Sequence, residues 1–264
     1  MPPRGFGIEA TTTLDVVREV ARAAEQANYD SFWVNGSPPR AAMEAIAAAA
    51  EVTTIPLGTG VLPFNRRPIG QLIEDLVELD IPQDRFWMGI GWGGDPRGAL
   101  AAMRAAVDAI RERTSARPIV GAFGPNMTRL AGEIGDGVIF TWWFREAIEE
   151  SRPLAADGAW RASRETPEIF SYIRCTLLPQ AQQALDEVAA SYDNIPRFRA
   201  LFEAHDRTAR DTVITGSTAA DLRPGIEREA SVLDHAIIRA ITADQSTESI
   251  LELLEACAPK REGG

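Results

Sequence analysis

Eight times along the chain, a short run rich in β-branched and aromatic residues gives way to a longer Ala-, Leu-, Glu- and Arg-rich segment of helical period. No other feature constrains the fold so tightly. Strands that alternate with helices must pair in parallel, and crossovers of one hand pack the helices outside the sheet. The apolar runs are FGIEA from Phe6, SFWVN from Ser31, LGTG from Leu57, RFWMGIG from Arg85, PIVGAF from Pro118, GVIFTWW from Gly137, EIFSYIRCTLL from Glu168 and HAIIRAI from His235. Helical segments are expected near 11–27, 39–52, from Pro68, 96–113, after Pro125, from Arg145, at 181–191, 196–204 and 218–230, and at 247–256. Eight such units in 264 residues fit an α/β fold of the (β/α)8 TIM-barrel type, which typically needs ~250. An open doubly wound sheet is the competing arrangement. With no linker, low-complexity segment or further repeat, residues 1–264 read as a single domain.

Composition narrows the setting. A hydrophobic share of 45% with 25% charged residues is that of a soluble globular protein. No apolar run approaches the ~20 residues of a membrane span, and the opening MPPRGFGIEA has no signal-type charged and apolar regions. A cytoplasmic protein without membrane association is expected. Cys175 and Cys257 form no CxxC pair and read as inert thiols. A net charge of -11, with acid and base interspersed, argues against nucleic acid as a partner, since phosphate binding needs a basic stripe. Lys260 is the only lysine, so the positive charge is almost all arginine.

The third strand ends in LGTGVLPFNRRP (Leu57 to Pro68), an unusual loss of side chains at the end of a buried run. The fourth runs into GIGWGG (Gly89 to Gly94), which satisfies G-x-G-x-x-G. A dinucleotide-binding turn would explain that match, but it stands at the fourth unit and Pro96 delays the helix behind it. A barrel accounts for both glycine motifs, because adjacent staves would line one side of the mouth with bare backbone that a flat ring can approach. Relief of crowding between tilted strands is the plainer alternative. In AFGPNMTRLAGEIGDG (Ala122 to Gly137) a glycine turn precedes a helix whose free N–H groups and dipole suit phosphate, with Arg129 one turn in.

Together, EVTTIPLGTGVLPFNRRP, LDIPQDRFWMGIGWG and GPNMTRLAGEIGDGVIF resemble the luciferase-like flavin and deazaflavin oxidoreductases, and NYDSFWV fits their early strand. The resemblance is concentrated in the first ~150 residues and implies a (β/α)8 barrel that binds coenzyme F420 or reduced FMN. It also implies a bulged non-prolyl cis peptide, mapping to Gly60–Val61, beneath the ring. Thr59, Gly60 and Val61 would then support the ring, while Gly91, Trp92, Gly93, Gly124, Asn126 and Met127 would meet the phosphate end. The chain departs from the pattern in three places, one of them the trimming, between the fourth and fifth strands, of the long excursions that usually cover the active site. Asn35, Gly36 and Ser37 stand where deazaflavin-dependent dehydrogenases often carry Asp and His, and Gly94, followed by Asp95, stands where some carry a carboxylate.

Candidate chemistry lies at C-terminal strand ends. Glu9 is a candidate proton relay and Asn35 a candidate for orienting a substrate carbonyl, each against the alternative of an ordinary solvated or turn residue. Arg66 or Arg67 could clamp an anionic cofactor tail. Trp92, Trp142 and Trp143 sit mouth-side, and strand alternation would turn only one of the last pair inward. His205 and His235 read as structural, and no spacing supports a metal site. The leading expectation is an F420-dependent oxidoreductase that transfers a hydride between reduced deazaflavin and a small-molecule substrate. An FMN-dependent monooxygenase is the close alternative, and a cofactor-binding barrel without catalysis the third. A homodimer through the Ala-rich helix from Arg40 to Val52 is compatible with the family resemblance.

Overall fold

A computed structural model of the protein describes residues 1–94 and 96–259. The strands are β1 (Arg4–Ile8), β2 (Ser31–Val34), β3 (Leu57–Thr59), β4 (Leu62–Pro63), β5 (Phe86–Gly91), β6 (Arg117–Gly121), β7 (Gly137–Phe140), β8 (Glu168–Leu177), β9 (Ile214–Gly216) and β10 (His235–Ala240). All pair in parallel, and β10 lies hydrogen-bonded between β1 and β8, so the sheet closes on itself. Eight staves result, with β3 and β4 sharing one of them and β9 adding a short edge beside β8. This is a (β/α)8 barrel. Closure removes the open-sheet alternative, and with it the dinucleotide-turn reading of GIGWGG.

The helices are α1 (Leu14–Gln26), α2 (Pro39–Ala50), α3 (Ile69–Glu78), α4 (Ala99–Arg113), α5 (Pro125–Ile134), α6 (Arg145–Arg161), α7 (Gln182–Asp193), α8 (Pro196–Glu203), α9 (Ala219–Ala230) and α10 (Thr247–Ala256). Most follow the sequence expectation to within a few residues. The exception is α4, which starts at Ala99 rather than at Pro96, because Gly98 adopts a left-handed φ of 75° that no helix can continue through. Among the described residues no helix is long and apolar enough to cross a membrane, and no His, Cys, Asp and Glu group is placed to hold a metal ion. Asp95 and Lys260 lie outside the described residues.

Inside the barrel the side chains alternate in and out along each stave. Trp33, Ile119, Ile139, Phe170, Tyr172 and Ile237 form one buried cluster. The Trp33 ring lies 5.5 Å from that of Trp87 and 5.6 Å from that of Phe170, so the lower barrel is a solid aromatic plug rather than a pore. His235 belongs to this plug, with a nitrogen 2.7 Å from Ser31 Oγ. Burial, and secondarily the charge of Arg117, pull its imidazole down to about 3. It lies at the foot of the barrel, as its place at the start of a strand requires. Outside the staves, Cys175 and Cys257 are buried with their thiols in mutual contact.

Candidate functional site

The third stave is where the backbone departs from regular pairing. Gly58 pairs with Trp87 and Leu62 with Ile90, so four steps on one side oppose three on the other. The extra residue makes a bulge at Gly60 and Val61, and the bond between them is cis. Two neighbouring staves hold the bulge in place. Thr59 Oγ1 donates to the Gly89 carbonyl at 3.1 Å and accepts the Gly89 N–H at 3.0 Å. A Cβ on Gly36 would stand 1.9 Å from the Val61 carbonyl oxygen, so that carbonyl occupies space which only glycine leaves free. The sequence showed the loss of side chains here but not the short β4, since two residues are too few to carry a period.

Two cavities open on either side of this bulge, and both are lined by Gly60, Val61, Pro63, Gly93, Thr141, Tyr172 and Arg197. The smaller, about 240 Å³, is walled by Gly91, Trp92, Phe123, Met127 and Phe140 and is mainly apolar. The larger, about 530 Å³, is walled by Glu9, Asn35, Ser37, Arg66, Arg174, Tyr192 and Arg239. Of the residues singled out from the sequence, Gly60, Val61, Gly91, Trp92, Gly93 and Met127 therefore meet at the smaller cavity, and Glu9 and Asn35 at the larger.

Others fall elsewhere. Thr59 is fully buried beneath the bulge and lines neither cavity. Gly124 and Asn126 also lie outside the lining, because α5 turns its first residues to solvent and brings only Met127 back to the wall. Arg129 pairs with Asp157 rather than facing the cavity, and Arg67 is drawn off by the buried carboxylate of Asp75. Neither Trp142 nor Trp143 lines either of these two cavities. Strand alternation does not govern them, since β7 ends at Phe140 and Trp142 has a φ of 62°. Trp143 instead packs on Phe123 and Phe140.

The polar groups of the larger cavity are unequally engaged. Asn35 Oδ1 accepts the Ala10 N–H at 3.0 Å, and Asn35 Nδ2 donates to Glu9. The other Glu9 oxygen forms an ion pair with Arg239, whose burial holds it down at about 10. Glu9, Asn35 and Arg239 thus make a closed polar chain at the mouth. Tyr172 has no such partner. It is 4% exposed, its hydroxyl is buried without a hydrogen bond, and a Cβ on Gly60 would stand 2.2 Å from that oxygen. Burial raises its pKa.

Sequence reasoning passed over Tyr172, Arg174, Arg197 and Arg239. A signal was present for three of them. In SYIRCT and HAIIRA, the pleat puts Tyr172 and Arg174, and Ile237 and Arg239, on the inward face, where an arginine amid apolar residues is anomalous. Arg197 has no such signal, because α8 reaches the mouth only through the tertiary fold.

Comparison with known proteins agrees with the barrel. The family model for luciferase-like monooxygenases matches residues 2–115 and 98–258. The chain belongs to the luciferase-like monooxygenase family. A relative, the 5,10-methylenetetrahydromethanopterin reductase of Methanolobus tindarius, is 28% identical over 204 residues, a stretch that spans 62% of this chain and 62% of that protein. Among solved structures, an F420-dependent secondary alcohol dehydrogenase in complex with an F420–acetone adduct superimposes with a TM-score of 0.76 at 16% identity, covering 97% of this chain and 98% of the other. The oxygenating constituent of 3,6-diketocamphane monooxygenase from Pseudomonas putida, in complex with FMN, gives 0.68 at 12% identity over the full length of both chains. As similarities of fold, these show the same architecture in one protein that binds F420 and in one that binds FMN.

Proposed function

We propose that the protein is an F420-dependent oxidoreductase that transfers a hydride between reduced deazaflavin and a small organic substrate. The observation that carries this reading is the bulge at Gly60 and Val61, which lies between an apolar cavity and a polar one. A planar ring laid on it would have Gly91, Trp92 and Met127 toward its tail and the polar mouth toward its reacting face. Gly60 and Gly91 line the cavity without side chains of their own, the Cβ direction being taken by Tyr172 at Gly60 and by Val61 at Gly91, and the orphaned Tyr172 hydroxyl beside Gly60 is a donor awaiting an acceptor. The residues present therefore fit the group.

When bound, the deazaflavin supplies the hydride chemistry, and the protein supplies position, electrostatics and exclusion of water. Gly60 and Val61 would support the ring, and the walls of the apolar cavity would exclude solvent beside it. Asn35 is held by Ala10 and Glu9, so it serves first to fix the Glu9 carboxylate. Glu9 sits where a proton could pass between substrate and solvent, with Arg239 holding its far oxygen. Tyr172 is the donor best placed to orient a substrate oxygen.

An FMN-dependent monooxygenase is the second reading, favoured by the superposition on an FMN complex. Titration of the purified protein with F420 and with FMN, followed by absorbance and tryptophan fluorescence, separates the two. Binding of F420 with hydride transfer to a carbonyl substrate is expected. Tight FMN binding without F420 binding would overturn the assignment, and cofactor binding without turnover over a broad substrate panel would mark a barrel that has lost catalysis.

A further inference from the structure

The larger cavity is basic in a chain that is strongly acidic. Among the described residues, Arg66, Arg174, Arg197 and Arg239 line it against one carboxylate, Glu9, which Arg239 already engages, whereas the whole chain carries -11. Arg174 is the unusual member. It is 9% exposed, its guanidinium lies 3.7 Å from the centroid of the Trp142 ring, and its Nη2 donates to Thr141 Oγ1 at 2.9 Å. Among the described residues no carboxylate forms an ion pair with it, although the surface arginines of this chain are widely paired. A buried cation is costly unless an anion compensates it. Stacking on Trp142 and a hydrogen bond to the Tyr192 hydroxyl offset part of that cost and fix the plane of the guanidinium, which leaves its remaining N–H groups for a second, planar partner. Arg197, stacked against Phe123 and Phe198 at 5.5 and 5.1 Å, stands at both cavities.

We propose that the larger cavity takes a carboxylate-bearing substrate, its carboxylate held by Arg174 with Arg197 and its neighbouring carbonyl reached by the Tyr172 hydroxyl. This rests on the oxidoreductase reading and narrows it to 2-oxo acids and their hydroxy acid counterparts. Arg174 and Tyr172 are two residues apart on β8, so both side chains point into the barrel, one pleat from each other. That spacing suits an anion and a carbonyl on adjacent carbons. Thr141 and Trp142 fix Arg174 from below, so the clamp is built before any ligand arrives.

The test pairs each acid with its neutral ester: pyruvate and phenylpyruvate with their methyl esters, and 2-oxoglutarate with its dimethyl ester. Binding is read by calorimetry and by tryptophan fluorescence, on the ligand-free protein and with oxidised cofactor bound. At least one acid should bind about tenfold or more tightly than its ester. Arg174→Gln should erase that preference and leave cofactor affinity within about twofold, and Arg197→Gln should reduce it in part. Equal binding of acid and ester, no binding of any acid, or a larger loss of cofactor than of acid in Arg174→Gln would overturn the proposal, the last by assigning the arginine to the cofactor's phosphate. If Arg174→Gln melts early by circular dichroism, Arg174→Lys and Arg197→Gln decide, since either must narrow the acid-over-ester ratio. Failure of wild type to bind either cofactor is seen before any acid is added and counts against the oxidoreductase reading, while the acid-over-ester ratio of the ligand-free protein still decides the proposal.

Discussion

Replacing Tyr172 with Phe should stabilise the ligand-free protein. The hydroxyl is buried without a partner, in a residue 4% exposed, and Phe keeps the ring that packs in the aromatic cluster. An unsatisfied buried polar group costs about 1–3 kcal/mol, and removing it without changing shape recovers most of that. Taking about 1–2 kcal/mol, and about 2–4 °C per kcal/mol for a chain of this size, the melting temperature should rise by roughly 2–8 °C. The gain should shrink or reverse with cofactor and substrate present, because the wild-type hydroxyl then has an acceptor and Phe has none. Thermal melts of both proteins, with and without saturating ligand, give the four values needed. A ligand-free Tyr172→Phe protein that melts below wild type would refute the reasoning, since it would mean that the hydroxyl is already satisfied. A gain that is the same with and without ligand would remove Tyr172 from the site.

Three further outcomes are expected. His235 is held neutral to about 3, while an unfolded histidine takes a proton near 6.5. Its folded pKa is depressed, so its contribution is intact above 6.5 and is lost as pH falls toward 3. Between pH 6.5 and 5 this costs about 2 kcal/mol. Urea melts of His235→Asn should show a shallower loss over that window than wild type, and parallel slopes would contradict it. Gly36→Ala should lower stability by about 1–3 kcal/mol and weaken cofactor binding, because its Cβ would stand 1.9 Å from the Val61 carbonyl. The control Gly70→Ala, whose Cβ meets nothing closer than 3.8 Å, should be neutral or slightly stabilising in the same melts. F420 should quench tryptophan fluorescence on binding, through Trp92 at the apolar wall, and Trp92→Phe should reduce that quenching; an unchanged signal would place the cofactor elsewhere.

The alternation of apolar runs and helical segments narrowed the fold to a barrel or an open doubly wound sheet, because parallel pairing and one-handed crossovers leave few ways to bury eight such strands, and closure through β10 decided between them. LGTG and GIGWGG marked where the backbone would be bare, since glycine is legible without neighbours. The sequence could not show that one stave carries an extra residue, because a bulge exists only against the register of its partner, and Gly58–Trp87 and Leu62–Ile90 meet only in the closed sheet. Nor could it show which charges are left over. Arg66 and Arg67 are adjacent and chemically alike, yet Asp75 takes one and the cavity keeps the other. Arg174 and Arg239 read alike within their strands, but Glu9 pairs with one of them. Pattern fixes which way a side chain points. Partnership, and so the chemistry of the mouth, depends on distances between residues far apart in the chain, and only the tertiary structure sets those.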